Sequence, residues 1–296
     1  MTGIRITRVG PLATVQDAGR PGLLRHGISA SGPMDHAAFE RAGGWLGAAG
    51  TAGIEFTTAG IGFVAEGSVS IAVDGGAFEL VIDGETKPWP TRALLQAGSV
   101  VEVRPGAFGN YGYLRFDREI DVPPVMGSRA TSSIAGIGGF GGRALQVGDV
   151  VPLGATLRRG RGQHPTATPA RNGPIRVVWG IHADRFDNAI RQRFVTDEFV
   201  VSPQLDRMGV RLADPQRVFA EARILSLVSD AVVPGDIQIL GDGTPIVLMR
   251  DHQPTGGYPR IATVVSADLD RFAQLRPGTP LRFEAVTVAH AEGLKP

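Results

Sequence analysis

The sequence predicts a mainly β protein with two β-rich halves and few helices. Three observations carry that prediction. Short runs of β-branched and aromatic residues alternate with polar ones along most of the chain, the pattern of half-buried strands. The 41 glycines and 21 prolines among 296 residues follow no period, which suits many tight turns. No apolar run reaches the length of about 18 residues that a membrane-spanning helix needs.

In the first half, GIRITRV, GFVAEG, VSIAVDG, FELVIDG, LLQAGSVVEVRPG and YGYLRF read as strands. Their number and spacing predict a closed barrel rather than an open sheet. Asp74-Gly75 and Asp83-Gly84 are hairpin signals. In the second half, IRVVWG, EFVVSP, ARILSLV, PIVLM, ATVVS and LRFEAVTV read the same way. Between them the chain holds Pro123-Pro124, GIGGFGG and RRGRGQHPTATPARNGP. The expected organisation is therefore a barrel over 1–118, a Gly/Pro-rich connector and exposed loop over 119–172, and a second barrel over 173–296. Helices are expected over 34–45, 182–194 and 267–275, the last with Ser266 as N-cap and a stop at Pro277-Gly278. One local pattern occurs three times: Leu95, Leu145 and Leu275 each begin Leu-x-x-Gly, followed by a small polar residue and a strand. Glycine there supplies the positive φ that turns the chain into the strand.

Charge and composition exclude several functions. Thirty basic against 29 acidic residues give a net charge of +1, which argues against a nucleic-acid or anionic-membrane binder. All but Lys87 and Lys295 of the basic residues are arginine, so the cationic sites are planar forks suited to carboxylate or phosphate. The absence of cysteine excludes disulfides, thiolate metal sites and a cysteine nucleophile. HExxH, GxSxG and the P-loop are missing, and the six histidines lack metal-type spacing, so no metal site is expected. Neither lysine lies between methionines, so no covalent biotin is expected on this chain. The N-terminal residues contain no apolar run of signal-peptide length, which fits a cytoplasmic protein. Gly136-x-Gly138-x-x-Gly141 matches GxGxxG without the strand–helix context that a dinucleotide site requires, and reads as a loop of close backbone approach.

Three polar segments stand out. Val15–Gly22 and Gly27–Asp35 combine Asp17, Arg20, Ser31 and Asp35 with several glycines just before a helix. They fit a turn held by an internal Asp–Arg pair, or an anion site at a helix N-terminus. Leu205–Arg211 carries Asp206 and Arg207 and reads as a salt-bridged turn or part of a site. Arg250–Arg260 lies between two apolar strands and packs Asp251, His252, Gln253, Thr255, Tyr258 and Arg260. So many polar side chains between buried strands point to a cleft or a partner.

The motifs VQDAGRPG, GISASGPMD, SRATSS–GIGGFGGRALQVGD, SPQLDRMGVRL, GDIQI and DHQPTGGYPRIATVVSADL occur in that order. Over residues 4 to 288 the chain so resembles the allophanate hydrolase subunit 2 family, also called the biotin-dependent carboxyltransferase family, which includes one of the subunits of ATP-hydrolysing 5-oxoprolinase. The resemblance implies two cyclophilin-like β-barrels and a smaller cyclophilin-like companion subunit in a heterodimer or heterotetramer, with a third subunit in some systems. It implies hydrolysis of a small cyclic amide, 5-oxoproline, to glutamate, driven by ATP bound with Mg²⁺. The alternatives it leaves are a carboxyltransferase-type subunit of a urea carboxylase/allophanate hydrolase system and a non-catalytic interaction subunit. Phosphoryl activation of the amide oxygen needs cations and N–H donors, and water needs a base. On that chemistry the acid/base candidates are Asp17, Asp35, Asp206 and Asp251. Arg20, Ser31, Arg129, Arg207, His252, Gln253, Thr255, Tyr258 and Arg260 are candidates to hold substrate or phosphate. The chain departs from the family pattern at Gly43, Ser132, Ile134, Leu205 and Pro254. The loss of an aromatic and an arginine at 132 and 134 bears on the contact beside Arg129.

Overall fold

The computed structural model describes residues 2–157, 173–220, 222 and 227–294. They fall into two compact units, one of residues 2–21 and 30–157, the other of residues 22–29 and 173 onward. Residues 158–172 of the expected RRGRGQHPTATPARNGP loop, with His164, and residues 223–226 of the expected ARILSLV strand lie outside the described residues, and Leu227 and Val228 are not in a strand.

The first unit has twelve described strands. These are β1 (Thr2–Val9), β2 (Thr14–Gln16), β3 (Gly53–Thr57), β4 (Ile61–Ala65), β5 (Val69–Gly75), β6 (Phe78–Ile82), β7 (Glu85–Lys87), β8 (Thr91–Leu95), β9 (Val100–Pro105), β10 (Tyr111–Phe116), β11 (Arg118–Ile120) and β12 (Val150–Thr156). Seven form a sheet in the order β11-β12-β1-β4-β9-β6-β7, and five form a second in the order β2-β3-β10-β5-β8. Alternating residues of both sheets meet in one core: Ile4, Ile6, Phe63, Val101 and Val103 from the first, Ile54, Phe56, Val73 and Leu114 from the second. The opposite faces of β3 and β10 carry Glu55, Tyr113 and Arg115. Helix α1 (His36–Leu46) packs there, with Phe39 edge-on to Tyr113 and beneath the Arg115 guanidinium at 3.8 Å. Asp35 caps the helix by accepting from the Ala38 N–H at 2.9 Å, so it starts two residues later than the expected 34.

Two turn expectations part company. Asp83 and Gly84 both have positive φ (52° and 83°) and join β6 to β7 with Ile82 opposite Glu85, a two-residue hairpin. Asp74-Gly75 is not a hairpin turn. Both residues lie in β5, and the chain then changes sheets to reach β6. Part of the expected connector joins the first core: β12 runs antiparallel to β1 and buries Val151 and Leu153 there.

The second unit is built on one eight-stranded sheet. Its strands are β13 (Ile175–Trp179), β14 (Phe199–Leu205), β15 (Gly209–Ala213), β17 (Asp236–Ile239), β18 (Pro245–Leu248), β20 (Arg260–Val264), β21 (Pro280–Leu281) and β22 (Phe283–Ala285). The order is β21-β14-β15-β18-β17-β20-β13-β22. Its edge strands β21 and β22 are separated by Arg282 alone, so the sheet curls until its edges meet, which is the barrel that was expected. A two-stranded ribbon pairs β16 (Asp230–Ala231) with β19 (Thr255–Gly256). Helix α2 (Asn188–Thr196) sends Phe194 into the interior, stacked on Phe283 at 4.8 Å. The expected helix over 182–194 is broken: a 3-10 turn covers Ala183–Arg185, and Phe186 and Asp187 are extended before α2 begins. Helix α3 (Ser266–Ala273) matches expectation, except that Ser266 lies inside it and Val265 is the cap. Helix α4 (Val288–Gly293) was not expected. Among the described residues no helix is long and apolar enough to cross a membrane.

The Leu-x-x-Gly pattern proves to be one structural device used three times. Gly98, Gly148 and Gly278 have φ of 89°, 93° and 84°. Each donates its N–H to a strand carbonyl, of Ala65, Ile6 and Val201 respectively. In each case the same strand residue donates back to the carbonyl of the residue after the glycine. That residue in turn donates to the carbonyl two before the glycine. The clasp satisfies the backbone groups where a strand enters the barrel wall, and it occurs in both units.

Candidate active site

In the first unit the Val15–Gly22 segment is tied to residues 125–131 by charged side chains bonded to backbone. Asp17 accepts at Oδ1 from Ser128 Oγ (2.5 Å) and Gly19 N–H (2.8 Å), and at Oδ2 from Arg129 N–H (2.6 Å). Arg20 is buried and donates to the Ala130 carbonyl, with longer bonds to Val125 and Ser128. Arg129 donates from Nε to Val122 O at 2.8 Å and stands 3.8 Å from Glu119. Ser31 is buried with a φ of 57°, and its Oγ has no hydrogen-bond partner among the described residues. Beside it, Gln16 Oε1 accepts from Gly32 N–H (3.1 Å). Buried Glu55 accepts from Met34 N–H (2.7 Å) and from the Tyr113 hydroxyl (3.0 Å). Burial, then the nearby Glu55 and Asp35 charges, hold the Tyr113 hydroxyl well above its usual pKa. The structure thus brings Asp17, Arg20 and Arg129 together, with both charge signs spent on loop backbone. Asp35 serves as the α1 cap.

The second unit arranges charge differently. Arg207 and Asp251 form a buried two-point pair, Nε–Oδ2 2.8 Å and Nη2–Oδ1 3.2 Å. Their loops are also joined by Asp251 N–H to Arg207 O (2.7 Å) and Met249 N–H to Met208 O (2.8 Å). Asp206 is exposed and accepts from Met208 and Gly209 N–H, an Asx turn. Strand β17 turns Ile237 and Ile239 one way and Asp236 and Gln238 the other, and all four are buried. Arg260, at the start of β20, donates from Nη1 to Ala231 O (2.7 Å) and Asp236 (3.2 Å), and from Nη2 to Asp230 (2.7 Å). It therefore fastens the β16–β19 ribbon to the barrel wall. Gly256 lies so close over Gln238 that a Cβ there would stand 2.2 Å from the Gln238 amide nitrogen.

Between these paired charges lie neutral groups. Gln238 is 2% exposed, its amide nitrogen has no partner among the described residues, and its oxygen accepts only a 3.4 Å bond from Gln253. Leaving such a group unsatisfied costs about 1–3 kcal/mol. His252 is buried, and its Nδ1 lies 2.6 Å from Gln253 O. Burial lowers its pKa against the opposing pull of that bond and of Asp236 and Asp251. His182 Nδ1 accepts from Arg260 N–H at 3.2 Å, and burial followed by Arg260 lowers its pKa. Thr255 and Tyr258 are exposed. Sequence reasoning passed over Asp230, Asp236, Gln238 and His182, although GDIQI already held the second and third. Among the described residues no group of His, Asp and Glu could hold a metal ion. A cleft of about 680 Å³ lies elsewhere, beside the barrel seam at Pro280–Ala285.

Comparison with known proteins fits this picture. Residues 26–285 match the carboxyltransferase domain, subdomain A and B. The chain belongs to that family. It is 34% identical to the C-type subunit of 5-oxoprolinase from Escherichia coli over 289 residues, 97% of this chain and 93% of that one. It is 30% identical to urea amidolyase of Saccharomyces cerevisiae, covering 99% of this chain but only 17% of that protein. Among solved structures, K. lactis urea amidolyase superposes with a TM-score of 0.87 at 26% identity, over 98% of this chain and 19% of the other. The neighbours share the mainly β architecture, so family and fold agree with what the motifs implied.

Proposed function

We propose that this chain is the C-type subunit of an ATP-dependent 5-oxoprolinase, acting with a smaller companion subunit in the cytoplasm. The observation that carries the reading is the two-way match to that subunit of the Escherichia coli enzyme, nearly end to end in both chains. The chemistry of the second unit supports it. A lactam is a neutral, planar hydrogen-bonding group, and the Arg207–Asp251 and Arg260–Asp236 pairs frame neutral amide and imidazole groups of matching character. ATP would phosphorylate the lactam oxygen, making the carbon electrophilic for water. Mg²⁺ would arrive on the nucleotide phosphates. Gln253, Thr255 and Tyr258 would orient the substrate, and Arg207 and Arg260 would hold the loops that present them.

The test is reconstitution. The chain, co-expressed with its companion subunits, is given 5-oxoproline and ATP, and glutamate and phosphate are measured. The expected result is equimolar release that requires both substrates and this chain. Full activity without this chain would refute the reading. The likeness to urea amidolyase favours a second reading, carboxyl transfer to a urea-like acceptor. That reading requires activity dependent on a biotinylated carrier and bicarbonate instead.

A further inference from the structure

We propose that His252 is the general base of this site, taking the proton of the attacking water at Nε2. The inference rests on the reading above and adds a residue role to it.

The argument begins with the 2.6 Å contact between His252 Nδ1 and the Gln253 carbonyl. A carbonyl oxygen only accepts, so Nδ1 carries the hydrogen. In the neutral ring Nε2 is then the basic nitrogen. Nδ1 to Gln253 O is the one side-chain hydrogen bond that the ring makes among the described residues, and it leaves Nε2 open. The residue is 3% exposed, so burial disfavours the imidazolium. The charged groups facing it are Asp236 and Asp251. Each is already paired with a guanidinium, of Arg260 and Arg207 respectively, which blunts their pull toward a charged ring. The outcome is a neutral imidazole of fixed tautomer with an uncommitted lone pair, and its lowered pKa agrees.

The four aspartates offer no such group. Asp17 holds three donors, Asp35 caps α1, Asp206 closes its own turn and Asp251 is bound to Arg207. The step balances. The water oxygen bonds the activated amide carbon as its proton passes to Nε2. The same proton passes to the amide nitrogen as the C–N bond breaks, leaving the ring neutral and the carbon as an acyl phosphate, which a second water hydrolyses to carboxylate and free phosphate.

The test uses His252→Asn in the reconstituted complex. The Asn amide N–H can replace Nδ1–H toward Gln253 O, but nothing replaces Nε2. The expected result is a loss in kcat of about 100-fold or more with KM and thermal midpoint little changed. The acidic limb of the kcat–pH profile should vanish. A kcat within about threefold of wild type with that limb intact would overturn the proposal. A structural role would instead lower the midpoint and leave the limb of the remaining activity in place. If the variant fails to fold, or the wild-type complex does not hydrolyse 5-oxoproline, nitrogen-15 NMR of the wild-type ring decides. An Nδ1–H tautomer titrating below the ordinary value of about 6.5 supports the assignment, and an Nε2–H tautomer or a raised pKa refutes it. Lack of wild-type turnover by itself refutes the 5-oxoprolinase reading, whatever the ring shows.

Discussion

The two polar loop clusters, one in each unit, use charge in opposite ways. In the first, charged side chains meet backbone: Asp17 gathers N–H groups and Arg20 gathers carbonyls, locking 15–22 against 125–131. In the second, charge meets charge, in Arg207–Asp251 and Arg260–Asp236, and neutral groups with spare hydrogen-bonding capacity lie between. On the proposed function, the difference separates scaffold from chemistry. A side chain whose hydrogen-bonding groups mostly hold a loop has little left for substrate, whereas on the proposed function the paired charges fix a frame and leave His252, Gln238 and Gln253 to act within it.

The largest predicted effect is at Asp251. Replacement by Asn removes the carboxylate charge from the buried two-point pair with Arg207, and breaking such a pair costs about 3–5 kcal/mol. Denaturant titration should show it, and Arg207→Met with Asp251→Leu should recover most of the loss. Next comes Asp17→Ala. Three donors lose their acceptor, at about 1–3 kcal/mol for each that is left buried and unsatisfied. Turnover per folded complex should survive, however, and a selective loss of kcat without loss of stability would break the contrast. Gly256→Ala should cost about 1–3 kcal/mol by overpacking against Gln238. In a Gln238→Ala background that penalty should disappear from the same titration.

The smallest effect is on pH dependence. His182 and His252 have pKa values lowered by burial. Their neutral forms are favoured in the fold, so the unfolded chain takes up protons first as pH falls. Their stabilisation is complete above the unfolded value of about 6.5 and drains away as pH drops through the folded values. Thermal midpoints between pH 8 and 5 should fall less steeply in His182→Gln than in wild type.

Much of the fold was legible because alternation and punctuation are local. Asp83-Gly84 and the three Leu-x-x-Gly turns needed only their own φ preferences. The β12 strand was submerged in a connector because proline and glycine interrupt VVPLGAT, and its place is set by β1, far away in sequence. Asp74-Gly75 has the same letters as a hairpin, yet Asp74 is held in β5 by Arg41 at 2.9 Å, a contact no local rule encodes. The helix over 182–194 looked continuous from Phe186, Ile190 and Phe194, but Phe186 leaves the helix to pack edge-on to Phe219. At the candidate site, residue types marked the polar loops, but not which side chains pair within them. Aspartate signals catalysis and capping alike, and only the donors around Asp17, Asp35 and Asp206 distinguish the two. Gln238 was hidden as a strand residue, its significance set by the ribbon that covers it.

The most direct test of the central claim, that the second unit's 250–260 loop performs the chemistry, is the kcat/KM of Gln253→Ala in the reconstituted complex. Gln253 is half-buried, and its side chain makes one long bond, to Gln238, so the fold should not register its loss. The account predicts a fall in kcat/KM of about tenfold or more, the equivalent of about 1.4 kcal/mol, at an unchanged thermal midpoint. Wild-type kcat/KM in that variant would contradict it.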